Sequence, residues 1–371
     1  MSQLPEPRFI ETDQQSILDQ CIADYEALTG RTLYPAQSER LLINLIAYRE
    51  HLMRVGIQEA AKQNLVRYAK APMLDLLGEL VGVTRLPAAA ASCAVRFSLE
   101  QSLTEDLPIP AGIIIYSRDG GQRFITREAC RIPAGELSAH TFADAAEAGE
   151  AGNGILPGGL SRLADPLADA AVTVSNTETS SGGSDAETDE HLRERITIAP
   201  EAFSVAGSRL AYRYHTLSAS PQIVDVGVLS PEPGVVDLYP LTADGLPGAG
   251  LLALIQAHVS GEKVRPLTDT VHVLQPECLP AAVRAELTLY TWADEGSVRE
   301  AAMAALSAWM EERRQQLGMD IVRSQLIAIL SVYGVYRVQL LEPAADQEVG
   351  PSQWVDWRGS TLILTAERRD G

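Results

Sequence analysis

Along the first stretch of the chain, apolar residues recur every three to four positions, the mark of helices that bury one side. Between Asp13 and Thr29, the residues Ile17, Leu18, Cys21, Ile22, Tyr25 and Leu28 fall on one face of such a repeat. Gly30 should end this helix, since glycine accepts the left-handed turn. Pro35 stands where a first-turn proline is tolerated, and a second helix is predicted from there to about Ala69. In it Leu41, Leu45, Tyr48, Leu52 and Val55 step by four, three, four and three, which is a heptad seam. Leu42, Ile46 and Met53 form a second stripe beside the seam. One stripe suits packing on the chain's own body; two suit a helix inserted between partners. A buried core helix and a partner-facing bundle helix both satisfy the pattern. "MLDLLGELVGV" is a third, short helix, followed by "TRLPAAAAS".

From Cys93 the period changes to two. "AVRFSL", "LPIPAGIIIYS", "DGGQRFITRE", "ELSAHTFADAAEAGEAGNG" and "DAAVTVSN" read as strands and turns of a mostly antiparallel β-domain. A helix from about Thr188 follows. "SPQIVDVGVL" and "GVVDLYPL" then flank "SPEPG" as a hairpin, with a helix in "GAGLLALIQAHV" and a strand in "DTVHVLQP". After Pro280 come a strand in "AAVRAELTLYTW", helices in "SVREAAMAALSAWMEERRQQL" and "VRSQLIAILSVY", and strands in "VYRVQLLEP" and "STLILTAER". No repeat is visible between these last two segments. The expected fold is α+β and multidomain: a helical N-terminus (1–87), a central antiparallel β-domain (88–178), and two small α+β sandwich domains (179–278 and 279–371) with helices on one sheet face.

A chain of 371 residues buries enough surface to need no disulfide or metal staple. A net charge of −19 disfavours nucleic acid as the main partner, because phosphate binding needs a cationic face. Cys21, Cys93, Cys130 and Cys278 lie far apart without a CxxC pair, which suggests free, mostly buried thiols in a reducing compartment. "MSQLPEPRF" has neither the basic start nor the apolar run of a signal peptide, and no segment approaches a membrane span.

The one chemically suggestive stretch is "SSGGSDAETDEHLRERI", beginning at Ser180. As a calcium loop from Asp185 it fails, since positions six and twelve hold Glu190 and Ile196 instead of glycine and glutamate. Gly182 and Gly183 lead into acids that would repel phosphate. The stretch is expected to be a glycine hinge and a capped helix, with Ser184 and Glu187 as a capping box or Thr188 as the N-cap. "GEAGNG" has the wrong glycine spacing for a nucleotide loop and reads as a turn. The histidines, His51, His140, His191, His215, His258 and His272, are scattered, and neither HExxH nor GxSxG occurs. No catalytic residue, cofactor or metal is expected.

The order of the segments carries more than any motif. "IADYEALTGRTLYPAQSERLLINLIAYREHLMRVGIQEAAKQNLVRYAKAPMLDLLGELVGVTRLPAAAA" resembles the N-terminal part of the baseplate J family of contractile phage tails and R-type bacteriocins. "IPAGIIIYSRDGGQRFIT", "AGEAGNG", "GGSDAETDEHLRERI" and "AGSRLAYRYHTLSASPQIVDVGVLSPEPGVVDLYPL" resemble its central signatures; the last third is similar mainly in element order. At Ala71-Pro72 the chain departs from the family's glycine before the "LD" pair. The resemblance implies a non-enzymatic baseplate wedge subunit, linking sheath and tube to peripheral fibres and assembled in the bacterial cytoplasm. It implies, as partners, a second type of wedge subunit through an N-terminal helical bundle, another copy of the chain through the C-terminal half, and sheath-initiator or tube-proximal proteins. Neither nucleic acid nor membrane is implied. The interface candidates are Ile17, Leu18, Cys21, Ile22, Tyr25, Leu41, Leu45, Tyr48, Leu52 and Val55. A competing class, a tail-associated glycan-binding or glycan-hydrolysing protein, would need clustered carboxylates and exposed aromatics, and aromatics are 5% of the chain.

Overall fold

The computed structural model describes residues 5–167, 171–203, 208–261, 264–266 and 268–370. It is α+β, and divides into two compact units: the chain up to Thr84 with Leu192–Thr197, and Arg85–His191 with the chain from Ile198 onward.

In the first unit, α1 (Gln14–Thr29) starts where the Asp13 carboxylate accepts the Ser16 N–H at 2.7 Å. It ends at Gly30, whose φ of 65° suits glycine. α2 (Ser38–Lys62) runs antiparallel-bundle fashion beside α1, and α3 (Met73–Glu79) follows a cis Ala71–Pro72 bond. The second helix stops at Lys62, short of the predicted Ala69. The carbonyls of Val66 and Ala69 accept from the Arg193 guanidinium, at 2.9 and 2.7 Å, where a longer helix would turn them to its own N–H groups. Arg193 lies on α4 (Asp189–Ile198), whose Leu192 and Ile196 are buried in this unit with Leu74.

The second unit begins with β1 (Ser92–Leu99), β2 (Leu107–Ile109), β3 (Ile114–Ser117), β4 (Arg123–Thr126), β5 (Cys130–Ile132), β6 (Ser138–Ala145), β7 (Leu160–Leu163) and β8 (Val172–Asn176). Six of these form an antiparallel sheet in the order β7-β3-β4-β6-β1-β8, with β2 and β5 as a separate ribbon. Val95, Phe97, Ile115, Phe124, Ala143 and Leu160 fill its interior. β7 was absent from the sequence reading. It contacts β8 at the far end of the sheet and brings the sheet near to a closed barrel. Asn176 spans that seam: its Oδ1 accepts from Leu160 N–H at 2.9 Å, and its amide donates to the carbonyls of Leu156 and Glu178.

Beyond the barrel lie α5 (Arg209–Leu217), β9 (Ile223–Leu229), β10 (Val235–Thr242), α6 (Ala249–Val259) and β11 (Thr270–Val273). β9 and β10 form the expected hairpin, and α6 crosses over to make β11 parallel to β10. α5, also missed from sequence, is capped by Ser208 and buries Tyr212 and Leu217 on this sheet. The chain ends with β12 (Glu277–Tyr290), α7 (Glu295–Arg314), α8 (Arg323–Leu330), β13 (Val335–Glu342) and β14 (Gln353–Arg369), in sheet order β13-β12-β14. Val298, Ala302 and Leu306 of α7 cover the inward residues Ala285, Leu287 and Leu289 of β12. The two sandwiches interlock. Asp225 accepts the Leu317 N–H at 2.8 Å, and Trp354 donates to the Arg314 carbonyl at 2.7 Å beside Gly245.

A histidine titrates inside α5. Burial pushes the His215 pKa below its ordinary value, and His258 adds to the shift. The folded state therefore holds His215 neutral while the unfolded chain takes up a proton at about pH 6.5. Stability from this group is present above that pH and is lost as pH falls toward the lowered folded value. His215→Gln should flatten the acid-side loss of stability; equal slopes for variant and parent in denaturant midpoints, taken between about pH 7 and about pH 5, would refute this.

Candidate assembly interface

The first unit exposes many large apolar side chains, most of them on α2. At about 100° per residue, the residues of α2 fall into three faces around its circumference. Ile43 and Ala47, with Glu50 and Arg54, face the N-terminal segment and α1. Leu41, Leu45, Tyr48, Leu52 and Val55 form the second face, and all five are exposed, from 37% at Val55 to 72% at Leu41. Leu42, Ile46, Met53 and Ile57 form the third, and they too are exposed. A groove of about 760 Å³ runs along this third face, lined by Ile10, Ile46, Arg49, Met53 and Ile57, with Leu45 of the second face and Glu50 and Arg54 of the first at its borders.

The ten candidate residues thus fall into two groups. Ile17 is buried, and Leu18, Cys21, Ile22 and Tyr25 are half-buried on the α1 side turned toward α2. The five seam residues of α2 stay outside this core. The heptad seam is therefore not the helix's intramolecular face, which is set by the small Ala47 and by Ile43. Sequence reasoning missed Ile10 and Ile57; Ile57 continues the second stripe four residues after Met53. The segment before α1 is strapped along α2. Gln58 accepts Phe9 N–H at 2.9 Å and donates to Pro7 carbonyl at 2.7 Å, while His51 meets the Thr12 carbonyl at 2.9 Å.

The acidic stretch after Ser180 has a structural task in the second unit. Thr188 is the N-cap of α4, accepting from His191 N–H, and Asp189 and Glu190 occupy its first turn. The alternative capping box does not form. Ser184 bridges backbone to backbone with Ala89, and the buried Glu187 carboxylate accepts Leu86 N–H at 2.8 Å and meets His191 Nδ1 at 2.5 Å. Arg85 donates to the Glu187 carbonyl and to Asp189 at 2.6 and 2.7 Å. Nor is the glycine pair a hinge. Gly183 exchanges two 2.8 Å hydrogen bonds with the Asn153 side chain, and its carbonyl also accepts from Gln222 at 2.6 Å. A Cβ on Gly183 would lie 2.4 Å from the Gly149 carbonyl oxygen. "GEAGNG" is accordingly the receiving half of a knot: Gly149 donates to Ala89, Glu150 N–H to Asp185, and Ser180 Oγ to Gly152.

Among the described residues, no group of three or more His, Cys, Asp or Glu is arranged to hold a metal, and no helix is long and apolar enough to cross a membrane. All four cysteines are free. Cys93 alone is fully buried, in the barrel, where burial pushes its thiol up to about 12; the other three are half-buried, against the expectation of mostly buried thiols. At the C-terminal sheet, β13 and β14 are the two edge strands among the described residues, and β9 is an edge of its own sheet. Where β12 ends, Tyr290 stacks on Trp292 and meets Tyr336 edge-on, and Trp292 meets Tyr333 at 4.9 Å. Trp292, Tyr333 and Tyr336 are exposed, a cluster no sequence signal revealed.

Four family models match the chain in succession. They are described as the baseplate J-like N-terminal domain (residues 40–92), barrel domain (94–183), central domain (204–275) and C-terminal domain (281–360). "Baseplate protein J" of Escherichia phage P2 is 37% identical over 169 residues, covering 45% of this chain and 56% of that relative. The match thus spans little more than half of the relative's length. A chain of the anti-feeding prophage baseplate, solved by cryo-EM and 6-fold symmetrised, is 15% identical, with 94% of this chain and 90% of that chain covered and a TM-score of 0.46.

Proposed function

The chain belongs to the baseplate J-like family, and on that premise we propose that it is a structural, non-enzymatic wedge subunit in the baseplate of a contractile tail or injection particle. The observation that carries this reading is α2. A helix of 25 residues, about 37 Å long, has one face covered by its own chain and two apolar faces open. Contiguous exposed apolar surface of that extent marks a site of association. The two open faces suit two further helices, supplied by a second type of wedge subunit and by another copy of this chain, in a bundle. The C-terminal half then meets its own kind, and tube-proximal or sheath-initiating proteins contact the assembled wedge. Assembly in the bacterial cytoplasm agrees with four free thiols.

The test is co-expression of the full chain with the other baseplate proteins, followed by capture through a terminal tag. A second wedge protein should be retained, and hydrogen exchange should slow in α2 when it binds. Capture without protection of α2 would refute the bundle.

A second reading has one observation in its favour. The exposed rings of Trp292, Tyr333 and Tyr336 could stack on sugar rings in a glycan-binding tail protein. The structural reading predicts no saturable change in tryptophan fluorescence when bacterial surface oligosaccharides are titrated. A saturable change abolished by Trp292→Ala would favour the glycan reading instead.

A further inference from the structure

The two edges of the C-terminal sheet differ in character. β13 carries Arg337 and Glu342, charges that turn away a foreign strand, while both edges pair with β12 through register shifts, which on β14 flank the run paired with Val283–Leu287. β14 is 17 residues long, and its start is already covered: Trp354 bridges to Leu317, and Gly318 N–H donates to the Gln353 carbonyl at 3.0 Å. The stretch from Ser360 to Thr365 has no charge and lies between Arg358 and Glu367; Ser360–Leu364 pair in register with β12, Thr365 begins a register shift, and no strand lies on the other side among the described residues. The Arg299 guanidinium reaches this edge, 3.5 Å from the Leu362 carbonyl, at the limit of a hydrogen bond.

Thr361-Leu362-Ile363-Leu364-Thr365 reads the same in both directions. An antiparallel pair formed by such a segment with its own copy sets Thr361 opposite Thr365, Leu362 opposite Leu364, and Ile363 opposite itself. Threonine pairs and β-branched pairs are favourable cross-strand neighbours. Strand alternation keeps Leu362 and Leu364, both packed in the helix-covered core, on one face in each copy. A two-fold axis perpendicular to the sheet leaves those faces on the same side, as an isologous contact requires.

We propose that β14 strands of two copies of this chain join edge to edge, antiparallel about Ile363, so that two three-stranded sheets become one of six strands. The proposal rests on the reading above that this half of the chain meets its own kind, and it names the contact.

Single-cysteine crosslinking in the full chain tests it, with the unaltered chain as the baseline under the same oxidant. Residues directly opposed in an antiparallel pair have Cα atoms about 4.5–5.5 Å apart, within disulfide reach. Ile363→Cys should therefore give a covalent dimer far above baseline. Thr361→Cys alone should not, because its own copy lies about 13 Å away along the strand. Adding Thr365→Cys to it should restore the dimer. Should Ile363→Cys perturb folding, Ile363→Lys gives a second readout: it should shift concentrated protein from dimer to monomer in sedimentation equilibrium. No dimer from Ile363→Cys, or equal crosslinking from Thr361→Cys, overturns the proposal. Capture of the second wedge protein, scored in the same preparations, reports on the bundle separately, so either reading can fail alone.

Discussion

Gly183→Ala is expected to destabilise the second unit by about 3 kcal/mol or more, the upper range for overpacking a closed site. The added Cβ would sit 2.4 Å from the Gly149 carbonyl oxygen, 2.9 Å from Asn153 Oδ1 and 3.1 Å from Ala91 Cβ. The nearest atom is backbone, and that backbone is itself held, since Gly149 N–H donates to the Ala89 carbonyl. Relief by moving Asn153 would break the paired hydrogen bonds to Gly183, each worth about 1 kcal/mol. Gly182 is the internal control. It has a φ of 86° and nothing within 4 Å of a built Cβ, so Gly182→Asn, a residue that tolerates the left-handed region, should cost about 1 kcal/mol or less. Denaturant midpoints of the full chain distinguish the two. A flexible hinge would leave both variants close to the parent, and a loss below about 0.5 kcal/mol for Gly183→Ala would refute the packed-knot account.

That contrast also marks where the sequence was readable. The period of apolar residues identified α1 and α7, which turn apolar faces inward, and α2, whose periodic apolar faces are open; the alternation in "AVRFSL" identified β1 because its inward residues enter the barrel. β7 escaped because only Leu160 of its four residues is fully buried, so it carries no alternation to read. α5 escaped because its aromatic and polar residues hide a short helix; Ser208 ahead of it was the available N-cap signal. The glycine pair was legible as unusual but not in kind. A glycine needed for its φ and one needed for lack of a side chain look alike in sequence, and Gly182 and Gly183 are one of each.

The same limit applies to the candidate interface. The sequence showed two apolar stripes on α2, the heptad seam and the one beside it, and either could have been the side packed on the chain's own body. Which face the chain keeps for itself depended on residues of low apolar weight. Ala47 and the Glu50–Arg54 ion pair let α1 and the N-terminal strap approach, and this is the face least conspicuous in a hydrophobic pattern. The aromatic cluster is illegible for a different reason: a register shift in the β12–β13 pairing sets Tyr336 beside Tyr290, and Trp292 and Tyr333 come from separate turns.

Charging the seam should separate folding from assembly. Leu45→Glu combined with Leu52→Glu replaces two side chains that are 56% and 47% exposed and hold none of the chain's own core. Both residues are good helix formers, and the stability of the free chain should stay within about 0.5 kcal/mol of the parent. In the bundle the same change removes two leucine burials, worth about 1.5–3 kcal/mol each, before any cost of burying carboxylates. At about 1.4 kcal/mol per tenfold, binding of the second wedge protein should weaken by roughly a hundredfold or more. Ile43→Glu is the opposing control, because Ile43 is 7% exposed and its change should lower the melting temperature of the chain itself. Ile46→Glu with Met53→Glu asks the same of the third face. If both pairs abolish capture while the melting temperature holds, α2 sits between two partner helices. If the Leu45→Glu and Leu52→Glu pair still captures its partner at full affinity, or melts the free chain as Ile43→Glu does, the seam is not an assembly surface.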